Sequence, residues 1–247
     1  MYVQRLPAVI IQTPNSDRFL PLFEVIGKSE LFEPILVSAT MGYSLSGSDV
    51  GSIEGEVQRF GRELTQNERA CAISHSRARE IIALSKHGGI VFEDDARILD
   101  LEYLERVTST FLMKRSKFNS ALGLLEYKDN FSGAGRYNTS PKFRRLLAET
   151  PLAVATVLTP LAACKLLESA ANSSQTADWP RSECHFFILS QGCVRHGDTS
   201  SGSVIGETAR RVAGKPPHPF SLSGLSLNVR RLLQKLDTYL ISYYQSK

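Results

Sequence analysis

Residues 87–100 read HGGIVFEDDARILD. Gly89-Ile90-Val91-Phe92 is a short apolar run with glycine before it, so it reads as a buried strand. It ends in three consecutive carboxylates, Glu93-Asp94-Asp95. Like charges this close repel, and each resists leaving water. A chain that sets them at the rim of its core needs a compensating cation: a metal ion, a basic side chain or helix N-termini. The fold must therefore deliver positive charge to the end of one buried strand.

The segments around this junction alternate. Val9 to Ile11 reads as a first strand, followed by a turn at Thr13-Pro14-Asn15-Ser16. A helix is expected from about Asp17 to Gly27, then a strand over 34–39 and a Gly- and Ser-rich loop over 42–56. Thr65-Gln66-Asn67-Glu68 is a capping box, in which Thr65 caps the helix and Glu68 reaches back. Ala70, Ile73, Ser74, Arg77, Ile81 and Leu84 recur at helical spacing, and Gly88-Gly89 is expected to stop that helix. Asp100 is a candidate N-cap for LEYLERVTSTFLM. SALGLLEY and AVATVL read as strands, PLAACKLLESAAN as a helix, and CHFFILSQGCVRH begins as a strand. This alternation predicts an α/β fold with a mostly parallel central sheet flanked by helices.

The chain has 247 residues, 42% of them hydrophobic and 22% charged, enough for a packed core. It contains no 18-residue apolar run, so no transmembrane helix is expected. Four cysteines, Cys71, Cys164, Cys184 and Cys193, lack C-x-x-C spacing. They read as buried reduced thiols, and the expected location is the cytoplasm. The net charge is +4, but residues 201–247 hold seven basic and two acidic residues. The basic character belongs to the tail, which argues against a general nucleic-acid-binding face.

Pro216-Pro217-His218-Pro219 marks a boundary between a domain over 1–215 and an extension over 216–247. Within the extension, Leu225, Val229, Leu232, Leu233, Leu236, Leu240 and Tyr243 form an apolar stripe at helical spacing, flanked by Arg230, Arg231 and Lys235. Such a basic amphipathic helix suits the inner face of a membrane, packing on the core, or contact with a second subunit.

Parallel sheets bind ligands at the carboxyl ends of their strands, where Glu93-Asp94-Asp95 falls. Neighbouring acids there suit Mg²⁺ or Mn²⁺ carrying a diphosphate. Either Glu93 and Asp95 point together with Asp94 turned away, or the turn aims Asp94 and Asp95 at the metal.

The stretch RELTQNERACAISHSRAREIIALSKHGGIVFEDDARI resembles the core motif of glycosyltransferase family 25, which includes lipopolysaccharide-biosynthesis and procollagen galactosyltransferases. The matching residues are Leu64-Thr65, Glu68, Cys71-Ala72-Ile73-Ser74-His75 and Glu93-Asp94-Asp95. VIIQTPNSDRF is similar to the family's opening strand and basic turn, with Asp17-Arg18 at its Asp-Arg. Gln12-Thr13-Pro14 stands where the family has Asn-Leu-Asp. The resemblance spans most of residues 8–206 and is strongest over 62–98.

The resemblance implies a GT-A-like nucleotide-binding fold, a nucleotide-sugar donor such as a UDP-sugar, and a divalent metal. It implies inverting hexosyl transfer, with galactose one candidate, to a glycan or lipid-linked acceptor such as lipopolysaccharide or another bacterial surface glycan. Asp95, Asp94, Glu93 and His196 are the candidate metal ligands. Asp178 is the first candidate general base and Glu126 the second. Arg18, Asp17, Thr13 and His75 are the candidate donor-binding residues, His75 also reading as a brace for the acidic loop. The rival readings are a metal-dependent phosphohydrolase, for which an Asp-x-Asp-x-Thr motif after the first strand is missing, and a silent sugar-nucleotide-binding domain.

Overall fold

A computed structural model of the chain describes residues 5–46, 56–57, 62–115, 120–125, 143–146, 154–172, 184–189 and 192–197. Glu126, Asp178, most of the loop over 42–56, the boundary at Pro216 and the C-terminal extension lie outside the described residues.

The strands are β1 (Leu6–Gln12), β2 (Phe32–Ser38), β3 (Gly89–Glu93), β4 (Ala96–Ile98), β5 (Ala121–Leu124), β6 (Phe143–Leu146), β7 (Ala155–Leu158), β8 (His185–Leu189) and β9 (Val194–His196). The helices are α1 (Leu20–Gly27), α2 (Gln66–Leu84), α3 (Leu101–Arg115) and α4 (Pro160–Asn172). Seven strands form one sheet in the order β2-β1-β3-β7-β5-β8-β6, and β4 pairs with β9 in a separate ribbon. The fold is α/β. Five of the seven strands run the same way, while β7 and β6 run against them.

The core follows from alternation along the strands. Ala8 and Ile10 of β1, with Ile90 and Phe92 of β3, pack on Leu22 and Ile26 of α1 and on Leu104, Val107 and Phe111 of α3. Val9, Ile11 and Val91 point to the other face, against Ala78 and Ile82 of α2 and Ala162, Ala163 and Leu166 of α4. Side chains alternate across a strand, so a strand covered on both faces must be apolar throughout. Fully burying one such Ile, Val or Phe contributes about 1.5–3 kcal/mol.

Helix boundaries depart from the sequence reading for local reasons. The first helix begins at Leu20 rather than Asp17, because Asn15 takes a positive φ of 59° and the Asp17 carbonyl accepts the Leu20 N–H. Asn tolerates that left-handed conformation better than most residues. The capping box of α2 is present in full, with the Thr65 side chain accepting from Glu68 N–H and Glu68 accepting from Thr65 N–H. Arg62 grips the same carboxylate at 2.6 and 2.8 Å. The helix ends at Leu84, short of Gly88-Gly89, because Ser85 turns extended and its hydroxyl donates to the Gly88 carbonyl. Gly88 has φ +90°, and a Cβ there would strike the Leu158 carbonyl oxygen. Asp100 caps α3 as expected, accepting from Tyr103 N–H at 2.9 Å.

No disulfide joins the four cysteines. Among the described residues, no helix is long and apolar enough to cross a membrane.

Candidate functional site

From β1 the chain passes through α1 to β2 on one side, whereas β3 lies on the other side of β1. The two crossovers diverge, with α1 on one face of the sheet and α2 on the other. A crevice opens beyond the carboxyl ends of strands at such a switch point. Here it is an open cleft lined by the ends of β1, β2 and β3 and by one stripe of α2. Asn67, Ala70, Cys71, Ser74 and His75 make that stripe, at the three- and four-residue spacing of one helix face.

The acids enter at the end of β3, whose Glu93 is in register with Ile11 of β1. The chain turns at Asp94-Asp95 into β4. Glu93 and Asp95 face the same region, and each brings a carboxylate oxygen within 4.8 Å of a ring nitrogen of His196 and of the other. Asp94 turns elsewhere: it is buried, and its Oδ2 accepts the Thr13 N–H at 3.2 Å. Glu93 and Asp95 thus point together, as in the first of the two arrangements open from sequence, while Asp94 lines the same cleft.

The segment CHFFILSQGCVRH begins as a strand, β8, but His196 arrives through the separate β4–β9 ribbon. Ala96 is paired with His196 in that ribbon, and the Gly197 N–H donates to the Asp95 carbonyl at 2.6 Å. That register leaves His196 Nδ1 3.5 Å from Asp95 Oδ2.

Arg18 supplies the cation that the sequence demanded. Its Nη2 donates to Asp95 Oδ2 at 3.0 Å and lies 3.9 Å from Asp94 Oδ1. Burial pushes the Asp95 carboxyl up, but the hydrogen bond from His196 and the charges of His196 and Arg18 outweigh it. The net position is below the usual 3.8. Asp95 stays ionised, yet its Oδ1 is buried with no hydrogen-bond partner among the described residues. Such an orphaned acceptor costs about 1–3 kcal/mol, more when charged. Thr40, also on the cleft wall, has a buried Oγ1 in the same condition.

His75 is 2% exposed and sets its Nε2 3.2 Å from Glu93 Oε1, so it does brace the acidic loop. Ser74 beside it accepts the Thr40 N–H at 2.8 Å and donates to the Ala70 carbonyl, tying the end of β2 to α2. The sites expected at Arg18, Thr13, His75, Glu93, Asp94 and Asp95 thus share one cleft, with His196 against its acids. Asp17 is exposed and is not among the lining residues.

Among the lining residues that the sequence reading gives no site role are Thr40, Gly42, Asn67 and Cys71. The spacing of Asn67, Cys71 and His75 along α2 was the signal that places them on one face. Gly42 is required by close approach, because a Cβ there would fall on Asn67 Oδ1 and 2.9 Å from the Asn67 nitrogen.

No protein-family model and no curated protein matches the chain.

Proposed function

We propose that the chain is a metal-dependent glycosyltransferase with a GT-A-like fold, taking a nucleotide-sugar donor such as a UDP-sugar. The observation that carries this reading is the convergence of Glu93, Asp95 and His196 at a switch-point cleft, with Asp95 Oδ1 buried and unpartnered among the described residues. Two carboxylates and an imidazole fit Mn²⁺ or Mg²⁺, with room left for water and phosphate oxygens. Glu93, Asp95 and His196 would hold such an ion, and its charge would offset the charge gained by a diphosphate leaving group.

The chain's own residues take the remaining roles. Arg18 already spans Asp94 and Asp95, and from that position its guanidinium meets a diphosphate at the cleft mouth. Asp94 fixes the Thr13 turn, and His75 fixes Glu93. In an inverting transfer, the acceptor hydroxyl attacks the anomeric carbon as the bond to the diphosphate oxygen breaks. The hydroxyl proton passes to a general base, Asp178 in the first instance and Glu126 in the second. The acceptor is a glycan or lipid-linked surface polysaccharide, and the sequence of the C-terminal extension, apolar residues at helical spacing with Arg230, Arg231 and Lys235 among them, is the candidate for attraction to an anionic membrane.

The test is incubation with Mn²⁺, a panel of nucleotide sugars and simple glycan acceptors, analysing every product. Release of nucleoside diphosphate with sugar transfer supports the proposal. Inorganic phosphate as the product supports a phosphohydrolase, and binding without turnover supports a silent domain.

A further inference from the structure

A second set of donors lies deeper in the same cleft. Cys71 Sγ, a ring nitrogen of His75 and a carboxylate oxygen of Glu93 all lie within 4.8 Å of one another. Cys71 and His75 are four residues apart on α2, so the helix stacks them on one face. His75 is held in place by burial and by Glu93 at 3.2 Å. Cys71 is half-buried and lines the cleft, which gives an ion a way in.

We propose that Cys71, His75 and Glu93 form a second cation site, built for a thiophilic divalent ion such as zinc. Thiolate sulfur, imidazole nitrogen and carboxylate oxygen are zinc's protein ligands, bound at about 2.0–2.3 Å. Tetrahedral ligands at those lengths stand roughly 3.3–3.8 Å apart, so the present separations close with small side-chain rotations. Three protein ligands leave the fourth position to a water from the cleft. The outer group of Glu93, Asp95 and His196 has two carboxylates and no sulfur, which suits a harder ion.

Glu93 belongs to both groups. An ion at the inner site draws that carboxylate away from Asp95 and His196, so the two sites compete for one ligand. The inner site does not depend on glycosyl transfer, and its test reads no turnover.

The experiment is a titration of the full-length protein with Co²⁺ alone, followed by absorption. The expected result is a thiolate-to-cobalt charge-transfer band in the near ultraviolet that excess Zn²⁺ abolishes. Cys71→Ser removes the band, and zinc affinity measured against a chromophoric chelator falls at least tenfold in Cys71→Ser and His75→Gln. Asp95→Asn, which disables the outer group, keeps the band. Circular dichroism of each metal-free variant establishes that it is folded, and a variant that fails this check is replaced by Cys71→Ala or His75→Asn. Cobalt binding without a thiolate band overturns the proposal. So does a band that survives in Cys71→Ser, which would place the thiol elsewhere, or one that disappears in folded Asp95→Asn.

Discussion

Arg18 Nη2 stands 3.0 Å from Asp95 Oδ2 and 3.9 Å from Asp94 Oδ1, so one guanidinium from the turn after β1 answers two of the three carboxylates at the end of β3. His75 answers the third, Glu93, from the opposite wall. The like charges at the rim of the core are therefore divided between partners from both sides of the switch point. Among the described residues, Asp95 Oδ1 keeps an unmet demand, as does Thr40 Oγ1 on the cleft wall.

Arg18 is expected to act on donor binding more than on the fold. Arg18→Gln should raise the KM for the nucleotide sugar about 10- to 100-fold, the worth of one hydrogen bond to a charged group. Steady-state kinetics with the donor varied measures this. An unchanged KM would return Arg18 to the role of a counter-ion for the aspartates.

The capping box of α2 gives a stability prediction with a defined pH dependence. Burial pushes the Glu68 carboxyl up, but hydrogen bonds from Arg62 and Thr65 and the charge of Arg62 bring it below its usual 4.5. A carboxylate depressed on folding contributes stability that is present above the unfolded value and lost as pH falls through the folded value. Unfolding free energy should therefore decline below about pH 4.5 in the wild type and decline less steeply in Glu68→Gln. Thr65→Ala should cost about 1 kcal/mol at neutral pH. Urea unfolding across pH 3–7 (about the range over which a carboxylate titrates) checks both.

Gly42 carries a steric prediction. Gly42→Ala must displace Asn67, the first cleft-facing residue of α2, or move the turn after β2. Overpacking of this kind costs about 1–3 kcal/mol, and here it also narrows the cleft. Thermal unfolding and nucleotide binding should fall together. A loss of stability with full nucleotide affinity would show that this wall of the cleft does not touch the donor.

Asp178→Asn should reduce kcat by about 10²–10⁴-fold while keeping donor binding, the usual effect of removing a general base. Loss of donor binding instead would make Asp178 a ligand contact, and Glu126→Gln would then be expected to show the catalytic defect.

What the sequence made legible was local. The capping box, the apolar run of β3, the Asp100 cap and the full span of α4 all depend on residues within a turn or two of one another. Strand direction is a different kind of fact. The pattern of Ala155–Leu158 says that the segment is apolar, but not that it lies antiparallel between β3 and β5. The β4–β9 ribbon was harder still. Its two strands are three residues each, too short to show alternation, and they lie far apart in the sequence. His196 was named from its place near the end of a strand, but the register that sets it on Asp95 was not readable. The inner group is hidden for another reason: Cys71 and His75 stand out in one motif, but nothing local shows that Glu93, on a different element, comes within reach of their helix face.

The central claim concerns metal-dependent nucleotide-sugar chemistry at Asp95. The most direct measurement is the rate of nucleoside-diphosphate release from the preferred donor, in wild type and Asp95→Asn, with Mn²⁺ and after chelation by EDTA. The account predicts turnover in the wild type that EDTA abolishes and Mn²⁺ restores. It predicts that folded Asp95→Asn loses on the order of 10²–10³-fold in kcat, the scale of one group stabilising transition-state charge. Wild-type turnover that is indifferent to EDTA, or an Asp95→Asn enzyme as active as the wild type, would contradict it.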